Sequence, residues 1–96
     1  MARRYAVQIS SQAERQLAGL PSELRRRVDA KILALAENPR PPGVTKLVGP
    51  DEQYRIRIGD YRVIYELHDD VLLVIVLKIA HRSKVYRRMP RKSRGR

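Results

Sequence analysis

The spacing of hydrophobic residues divides the chain into a helical part and a strand-forming part. A first strand is predicted at residues 5–9, followed by a short helix that Ser10 or Ser11 caps. After a break at residues 19–21, apolar residues recur every three or four positions from 22 to about 37. This period predicts a second helix, which pairs with the first as a helical hairpin.

The hydrophobic period changes to two after a loop over residues 39–53, which is rich in proline and glycine. Residues 54–58 alternate apolar and arginine side chains, which indicates a strand with two different faces. Gly59-Asp60 has glycine first, as a two-residue type II′ hairpin turn requires. A second alternating strand follows at 61–68, and Asp69-Asp70 is predicted as the next turn.

The last strand, residues 71–80, shows no alternation, which predicts that it is central and covered on both faces. The element order is βααβββ. It predicts an α+β fold in which two N-terminal helices pack on one face of a four-stranded, mainly antiparallel sheet. We expect one domain spanning residues 1–96, in which residues 87–96 form a basic C-terminal tail.

Charge adds a binding partner to this picture. The chain carries 21 Lys and Arg against 10 Asp and Glu, and sixteen of the 21 are arginine. Arginine grips phosphate with two hydrogen bonds, so this balance favours a polyanionic partner. The alternative is a solubilising surface with a basic tail. Without residues 87–96 the chain keeps 15 positive and 10 negative side chains, a net charge of +5.

Several classes of protein and site are disfavoured. There is no cysteine, which excludes disulfides and thiolate metal sites. The longest apolar run, residues 71–77, is far shorter than the roughly 20 residues that span a bilayer. No signal peptide, glycine-rich phosphate loop, Ser/His/Asp order or cluster of metal ligands is recognisable. We therefore expect a soluble, cytoplasmic protein with no membrane association, no cofactor and no metal.

The predicted hairpin turn fixes a register that gathers arginines. With Gly59-Asp60 as the loop, Arg57 lies opposite Arg62, and Arg55 lies two residues along the same face. Like charges directly opposite each other are unfavourable in a sheet. A site for an anion would explain the arrangement, and an ordinary solvated face is the alternative.

If Asp69-Asp70 is also a two-residue loop, Arg62 lies opposite Leu77. The end of the last strand then comes near the arginines and brings His81 with it. His81 is a candidate catalytic residue, although a lone histidine is often structural or merely exposed. Tyr86 is a candidate for stacking on a base, or alternatively an anchor for the C-terminus.

Two segments, residues 54–65 and 78–86, closely resemble the RelE branch of the RelE/ParE toxin superfamily. Residues 36–39, Lys46-Leu47 and Leu20-Pro21 fit the same pattern, and the resemblance covers roughly residues 4–88. It implies a toxin that enters the ribosomal A site and cleaves mRNA. It also implies a toxin that is monomeric alone and is held inactive by an acidic RelB-like antitoxin.

The resemblance also implies site residues. Arg55 and Arg57 match two basic positions of the family, where its best-known members carry lysine. Arg62 matches the arginine that braces the scissile phosphate, Arg82 the basic residue that ends the last strand, and Tyr86 a tyrosine that orients a base. The candidate catalytic residues are Arg57, Arg62, His81, Arg82 and Tyr86. The candidate RNA- or phosphate-binding residues are Lys46, Arg55, Arg57, Arg62, Arg82 and Arg87.

The implied reaction needs no metal. The ribose 2′-OH attacks the adjacent phosphate, which requires stabilisation of negative charge, a base and an acid. A guanidinium is a poor base, so the change from lysine to arginine leaves the base unassigned and His81 as the available candidate. Two other functions fit the sequence. One is a ParE-like toxin that inhibits DNA gyrase, and the other is a basic RNA- or ribosome-binding module without activity.

Overall fold

A computed structural model describes residues 4–85 of the chain, and this part folds as two helices on a mixed sheet of five strands. The elements are β1 (Ala6–Ile9), α1 (Ser11–Ala18), α2 (Ser22–Ala34), β2 (Thr45–Lys46), β3 (Gln53–Ile58), β4 (Tyr61–His68) and β5 (Leu73–His81). The strand order is β1-β5-β4-β3-β2, with β1 parallel to β5 and the other pairs antiparallel. The predicted α+β class is confirmed, and β5 is an interior strand between β1 and β4, although the middle strand of the five is β4.

Two elements differ from the sequence prediction. The fifth strand, β2, lies inside the predicted loop, and its two residues are too few to show a period. Helix α2 ends at Ala34 rather than near Glu37. The next three residues continue in a tighter turn, in which Glu37 N–H donates to the Ala34 carbonyl three residues back, at 3.2 Å.

Both helices pack on one face of the sheet, as predicted. Ser10 caps α1, because its hydroxyl accepts a hydrogen bond from Ala13 N–H at 3.1 Å. The helix-side core contains Ala13, Leu17, Val28 and Ile32 from the helices, Leu35 from the turn after α2, and Ile56, Ile58, Val63 and Tyr65 from the sheet. Neither α1 nor α2, the helices of the described part, is long and apolar enough to cross a membrane.

The first hairpin has the predicted register. Gly59 has φ +58°, the left-handed value that the first position of a type II′ turn requires. Ile58 pairs with Tyr61, and Arg57 pairs with Arg62. Side chains alternate between faces along a strand, so the arginines lie on the face opposite the helices.

The second hairpin does not have the predicted register, and the expected pairing of Arg62 with Leu77 is wrong. The connection between β4 and β5 has four residues rather than two, and it ends at Leu72 in the left-handed region with φ 52°. A β-bulge between Ile64 and Tyr65 then adds a residue on β5. The two shifts place Ala80 opposite Arg62.

Candidate functional site

Three arginines share a small cavity on the face of the sheet opposite the helices. Arg55 and Arg57 come from β3 and Arg62 from β4, and together with Gly43 and Thr45 they line a volume of about 100 Å³. We call this cavity the arginine pocket. It exists because the alternation of β3 and the tight Gly59 turn direct all three side chains to the same face.

Two arginines of the pocket, Arg57 and Arg62, carry charge that no carboxylate of the described chain neutralises. Within residues 4–85, neither Arg57 nor Arg62 has a carboxylate oxygen within 4.0 Å. The guanidinium of Arg62 donates instead to two backbone carbonyls, those of Gly59 at 3.1 Å and Tyr61 at 3.0 Å. These bonds hold one end of the guanidinium, so its orientation is fixed without its charge being neutralised.

A lysine that sequence reasoning overlooked lies on the same face. Lys78 on β5 pairs with Ile64, whose partner on β3 is Arg55. Lys78 is only 3% exposed, and Ile64 is fully buried, so this face is covered here rather than open to solvent. Lys78 is the one charged residue in the predicted strand 71–80, and that was the available signal. Its burial could not be read from the sequence, because the bulge decides which face it takes.

The structure places Arg82 at the hairpin turn and His81 on the other face. Arg82 N–H donates to the Asp60 carbonyl at 2.7 Å, and Arg82 Nε lies 3.6 Å from Asp60 Oδ1. His81 pairs with Tyr61 and so lies on the helix side, where the two rings meet edge-on with centroids 5.6 Å apart. The expectation that His81 lies beside the arginines is therefore not met.

The surroundings of His81 also limit it as a base. Its Nδ1 lies 2.9 Å from the Ser83 hydroxyl and accepts a hydrogen bond from Ser83 N–H at 3.2 Å. These contacts suit the neutral ring that carries its proton on Nε2. The basic nitrogen, Nδ1, is then already engaged within its own turn. Catalysis by His81 stays a prediction from the sequence.

The other candidate residues are not gathered at the arginine pocket. Lys46 pairs with Tyr54 on the helix side, and its Nζ donates to Glu52 Oε2 at 3.3 Å. Tyr86 and Arg87 lie outside the described residues. Of the sequence candidates, the structure therefore unites Arg55, Arg57 and Arg62 in the pocket.

A second polar cluster, which the sequence did not predict, lies at the other end of β3 and β4. We call it the Arg40 network. The guanidinium of Arg40 contacts both carboxylate oxygens of Asp69, at 2.7 and 3.3 Å, and donates from Nε to the Tyr54 hydroxyl at 3.1 Å. Tyr54 in turn donates to Glu52 at 2.9 Å, and Glu52 also binds Lys46. The cluster ties the loop after α2 to the sheet.

The Arg40 network shifts the pKa of two of its members, Arg40 and Glu52, and burial shifts that of Tyr65. The hydrogen bond to Asp69, followed by that to Tyr54, raises the pKa of Arg40 above its ordinary value. The hydrogen bond from Tyr54 and then that from Lys46 lower the pKa of Glu52. Burial raises the pKa of Tyr65, whose hydroxyl donates to the Pro39 carbonyl at 2.5 Å. All three groups keep their usual charge at neutral pH.

Comparison with known proteins agrees with this architecture. The family model described as "ParE toxin of type II toxin-antitoxin system, parDE" matches residues 7–86. RelE1 of Methanocaldococcus jannaschii is 32% identical over 87 residues, covering 88% of this chain and 97% of that protein. The mRNA interferase toxin RelE of Escherichia coli K12 is 28% identical over 86 residues, covering 85% of this chain and 90% of that protein.

Among solved structures, the archaeal RelE–RelB complex from Pyrococcus horikoshii OT3 superposes with a TM-score of 0.76. Its matching chain is 34% identical, and the superposition covers 85% of this chain and 99% of that one. The residues that the family model matches, 7–86, include the strands that carry the arginine pocket. This chain therefore belongs to the RelE/ParE superfamily of type II toxin–antitoxin toxins, as a RelE-type member.

Proposed function

We propose that this toxin is an endoribonuclease that cleaves mRNA in the ribosomal A site and so inhibits translation. The observation that carries the proposal is the pair Arg57 and Arg62, which face each other in the arginine pocket without a carboxylate in the described chain to neutralise them. A phosphodiester would relieve their repulsion. The E. coli relative, named an mRNA interferase, supports the same substrate.

The proposed reaction is transesterification without a metal ion. The 2′-oxygen forms a bond to the adjacent phosphorus, and the bond from phosphorus to the 5′-oxygen of the next nucleotide breaks. The products are a 2′,3′-cyclic phosphate and a 5′-hydroxyl. Arg57 and Arg62 donate hydrogen bonds to the non-bridging oxygens, where negative charge grows in the transition state. The carbonyl bonds of Arg62 hold its guanidinium in place, so little reorganisation is needed.

Other residues extend the proposed contact with RNA. Arg55 is placed to hold a phosphate next to the scissile one, because it lines the same cavity. Arg82, beside the hairpin turn, would contact the backbone further along. From the family resemblance, Tyr86 would stack on a base, and Lys46 and Arg87 would add phosphate contacts.

We further propose that an acidic antitoxin inhibits the toxin by covering the basic face. Several structural relatives are toxin–antitoxin complexes, including that from P. horikoshii. Opposite charges would speed the encounter, and buried apolar contacts would hold the complex. In this proposal the toxin is a monomer when alone and acts in the cytoplasm, where its ribosomal target lies.

Primer extension on mRNA after induced expression of the chain tests the proposal. Cuts at codons in the A site, absent with Arg62→Gln, are expected. Inhibition of DNA gyrase is a second candidate, because the matching family model is that of ParE toxins. Intact mRNA together with cleaved DNA would favour that activity. Growth without damage to either nucleic acid would favour a binding module without catalysis.

A further inference from the structure

A larger cavity lies on the helix side of the sheet edge, between the C-terminal half of α2 and β3. It encloses about 730 Å³, and we call it the edge groove. Its floor is apolar and is formed by Ala34, Leu35 and Ile56, with Pro41 and Pro42 along one side. Of the residues that line it, Arg57 alone takes part in the proposed catalytic steps.

The rim of the edge groove is cationic. Lys31 from α2 and Arg57 from β3 line it. Within the described chain, Lys31 has no carboxylate oxygen within 4.0 Å. The one acidic residue of the lining, Asp60, is held by Arg82 at 3.6 Å. The groove is therefore suited to a ligand that combines an apolar, flat part with a negative charge.

The edge groove and the arginine pocket adjoin each other. Gly43 and Arg57 line both cavities, one on each side of the sheet edge. The passage is open because β2 begins only at Thr45, which pairs with Arg55, so no strand covers the edge at Arg57. A chain with a phosphate in the pocket can thus continue over the edge into the groove.

The part of the β3 edge that β2 leaves uncovered is one residue long, Arg57. This length distinguishes a peptide strand from a nucleotide as the ligand. Beside a two-residue turn, Ile58 and Ile56 direct their peptide groups to β4, so Arg57 directs its N–H and C=O outward. A peptide strand would find a single residue to pair with. A nucleobase edge needs only one donor and one acceptor, so the geometry favours a nucleotide.

We propose that the edge groove binds the base of the nucleotide next to the phosphate held in the arginine pocket. The base would lie against the exposed Ala34 and Pro42, above the buried side chains of Leu35 and Ile56. Its edge would meet the peptide group of Arg57, and its own phosphate would approach Lys31. The idea rests on the proposed function, since it assumes that RNA occupies the pocket. It assigns the groove to substrate binding rather than to bond cleavage.

The test uses a short 2′-O-methyl oligoadenylate, which lacks the attacking hydroxyl and stays intact, and a matched oligomer in which abasic sites replace the central bases. Methyl signals of Leu35 and Ile56 report the groove, and guanidinium signals of Arg55 and Arg62, which line the pocket and not the groove, report the pocket. We expect the intact oligomer to shift both sets and the abasic oligomer to shift the pocket alone. Loss of the bases should weaken binding about tenfold, the scale of one buried apolar group.

A pair of charge variants gives an independent reading. Lys31→Gln removes a positive charge at the groove, and Arg26→Gln removes one from an exposed position of the same helix that does not line it. Lys31→Gln should weaken binding of the intact oligomer several-fold more than Arg26→Gln does. If the two variants weaken binding equally, Lys31 contributes only general electrostatic attraction. That result would overturn the proposed contact between Lys31 and the phosphate.

The remaining outcomes separate the groove from the function. Shifts in the pocket without shifts in the groove would overturn the groove proposal and leave the ribonuclease proposal standing. Silence of both sets would overturn the groove proposal, and primer extension on mRNA after expression would then decide the ribonuclease proposal separately. If a peptide of alternating glutamate and leucine shifts the groove methyls and the oligoadenylate does not, the groove is a protein-docking surface and the proposal is wrong.

Discussion

Two clusters of charged residues lie at opposite ends of the β3–β4 hairpin, and they differ in whether carboxylates of the described chain neutralise their cations. In the Arg40 network each cation meets a carboxylate, Arg40 with Asp69 and Lys46 with Glu52. In the arginine pocket, Arg57 and Arg62 face each other, and the guanidinium of Arg62 donates hydrogen bonds to two backbone carbonyls. Arg40, which meets a carboxylate, fixes a loop, whereas Arg57 and Arg62, which meet none within residues 4–85, are available to an anion from outside the chain.

The largest expected effect is on catalysis at Arg62. Replacing Arg62 with Gln should lower the single-turnover cleavage rate about 10²- to 10³-fold, as loss of one preorganised donor does elsewhere. Stability should stay constant or rise by up to about 1 kcal/mol, because a cross-strand repulsion disappears. The measurement is thermal unfolding beside single-turnover cleavage. A lower melting temperature with full activity would make the pocket structural.

Replacing Arg57 with Gln should likewise lower the cleavage rate while the stability stays constant or rises slightly. If both guanidiniums grip one phosphate, their contributions are coupled. The double variant should then lose less activity than the product of the two single losses. Rates for the wild type, both single variants and the double variant complete the cycle. Strictly multiplicative losses would mean that the two arginines act on different groups.

The Arg40 network should give the reverse result. Arg40→Gln removes a half-exposed ion pair and a hydrogen bond to Tyr54. We expect a loss of about 1 kcal/mol, which is the upper range for exposed pairs, and a melting temperature about 5 °C lower. The cleavage rate at 25 °C should stay within about threefold of wild type. Arg26→Gln, an exposed arginine without such partners, is the control and should change neither.

The acid limb of stability reports on Glu52. Its pKa is lowered below the ordinary 4.5 in the folded protein, by Tyr54 first and then by Lys46. A lowered folded-state pKa gives stability that is present above 4.5 and is lost as the pH falls through the folded value. Melting temperature should therefore decline less steeply below that pH in Glu52→Gln than in wild type. An identical slope would show that the carboxylate is not coupled to folding.

His81 should give the smallest effect on the rate. It lies on the face opposite the arginine pocket, and its Nδ1 is engaged by Ser83. His81→Gln should therefore change cleavage by less than about tenfold, whereas removal of a general base costs about 10²-fold or more. A loss of that larger size, with unchanged thermal unfolding, would restore His81 as the base.

The sequence predicted the first hairpin well because its turn is encoded locally. Gly59 is the residue type that a left-handed φ favours, and the alternation of β3 then assigns each arginine to a face. The second hairpin lacked such a signal. Its connection ends in a left-handed residue that is not glycine, Leu72, and such a position is not recognisable from residue type.

The candidate site was predicted to the extent that it depends on the first turn. The three arginines of the pocket lie on the strands that the first turn joins, and the sequence assigned them to the correct face. The position of His81 depends on the second connection, and the sequence assigned it to the wrong face. Gly43 and Thr45 complete the pocket from a segment that reads as a loop. Their position follows from tertiary contacts, since the Arg40 network holds that segment from a distance along the chain.

The bulge in β5 interrupts the alternation of faces along the strand. Val76 and Lys78 are two residues apart, yet they lie on opposite faces of the sheet. Leu77 is the extra residue, and its carbonyl accepts a hydrogen bond from the Ser10 hydroxyl at 3.2 Å. Deletion of Leu77 would remove the bulge and leave Lys78 opposite Ile64 and Ile79 opposite Val63, because Val76 and Lys78 would then be consecutive residues of a regular strand. A variant that lacks Leu77 should therefore fold with the same residues on each face and lose only the hydrogen bond from Ser10, so that the extra residue serves the link to helix α1 rather than the pairing of the strands.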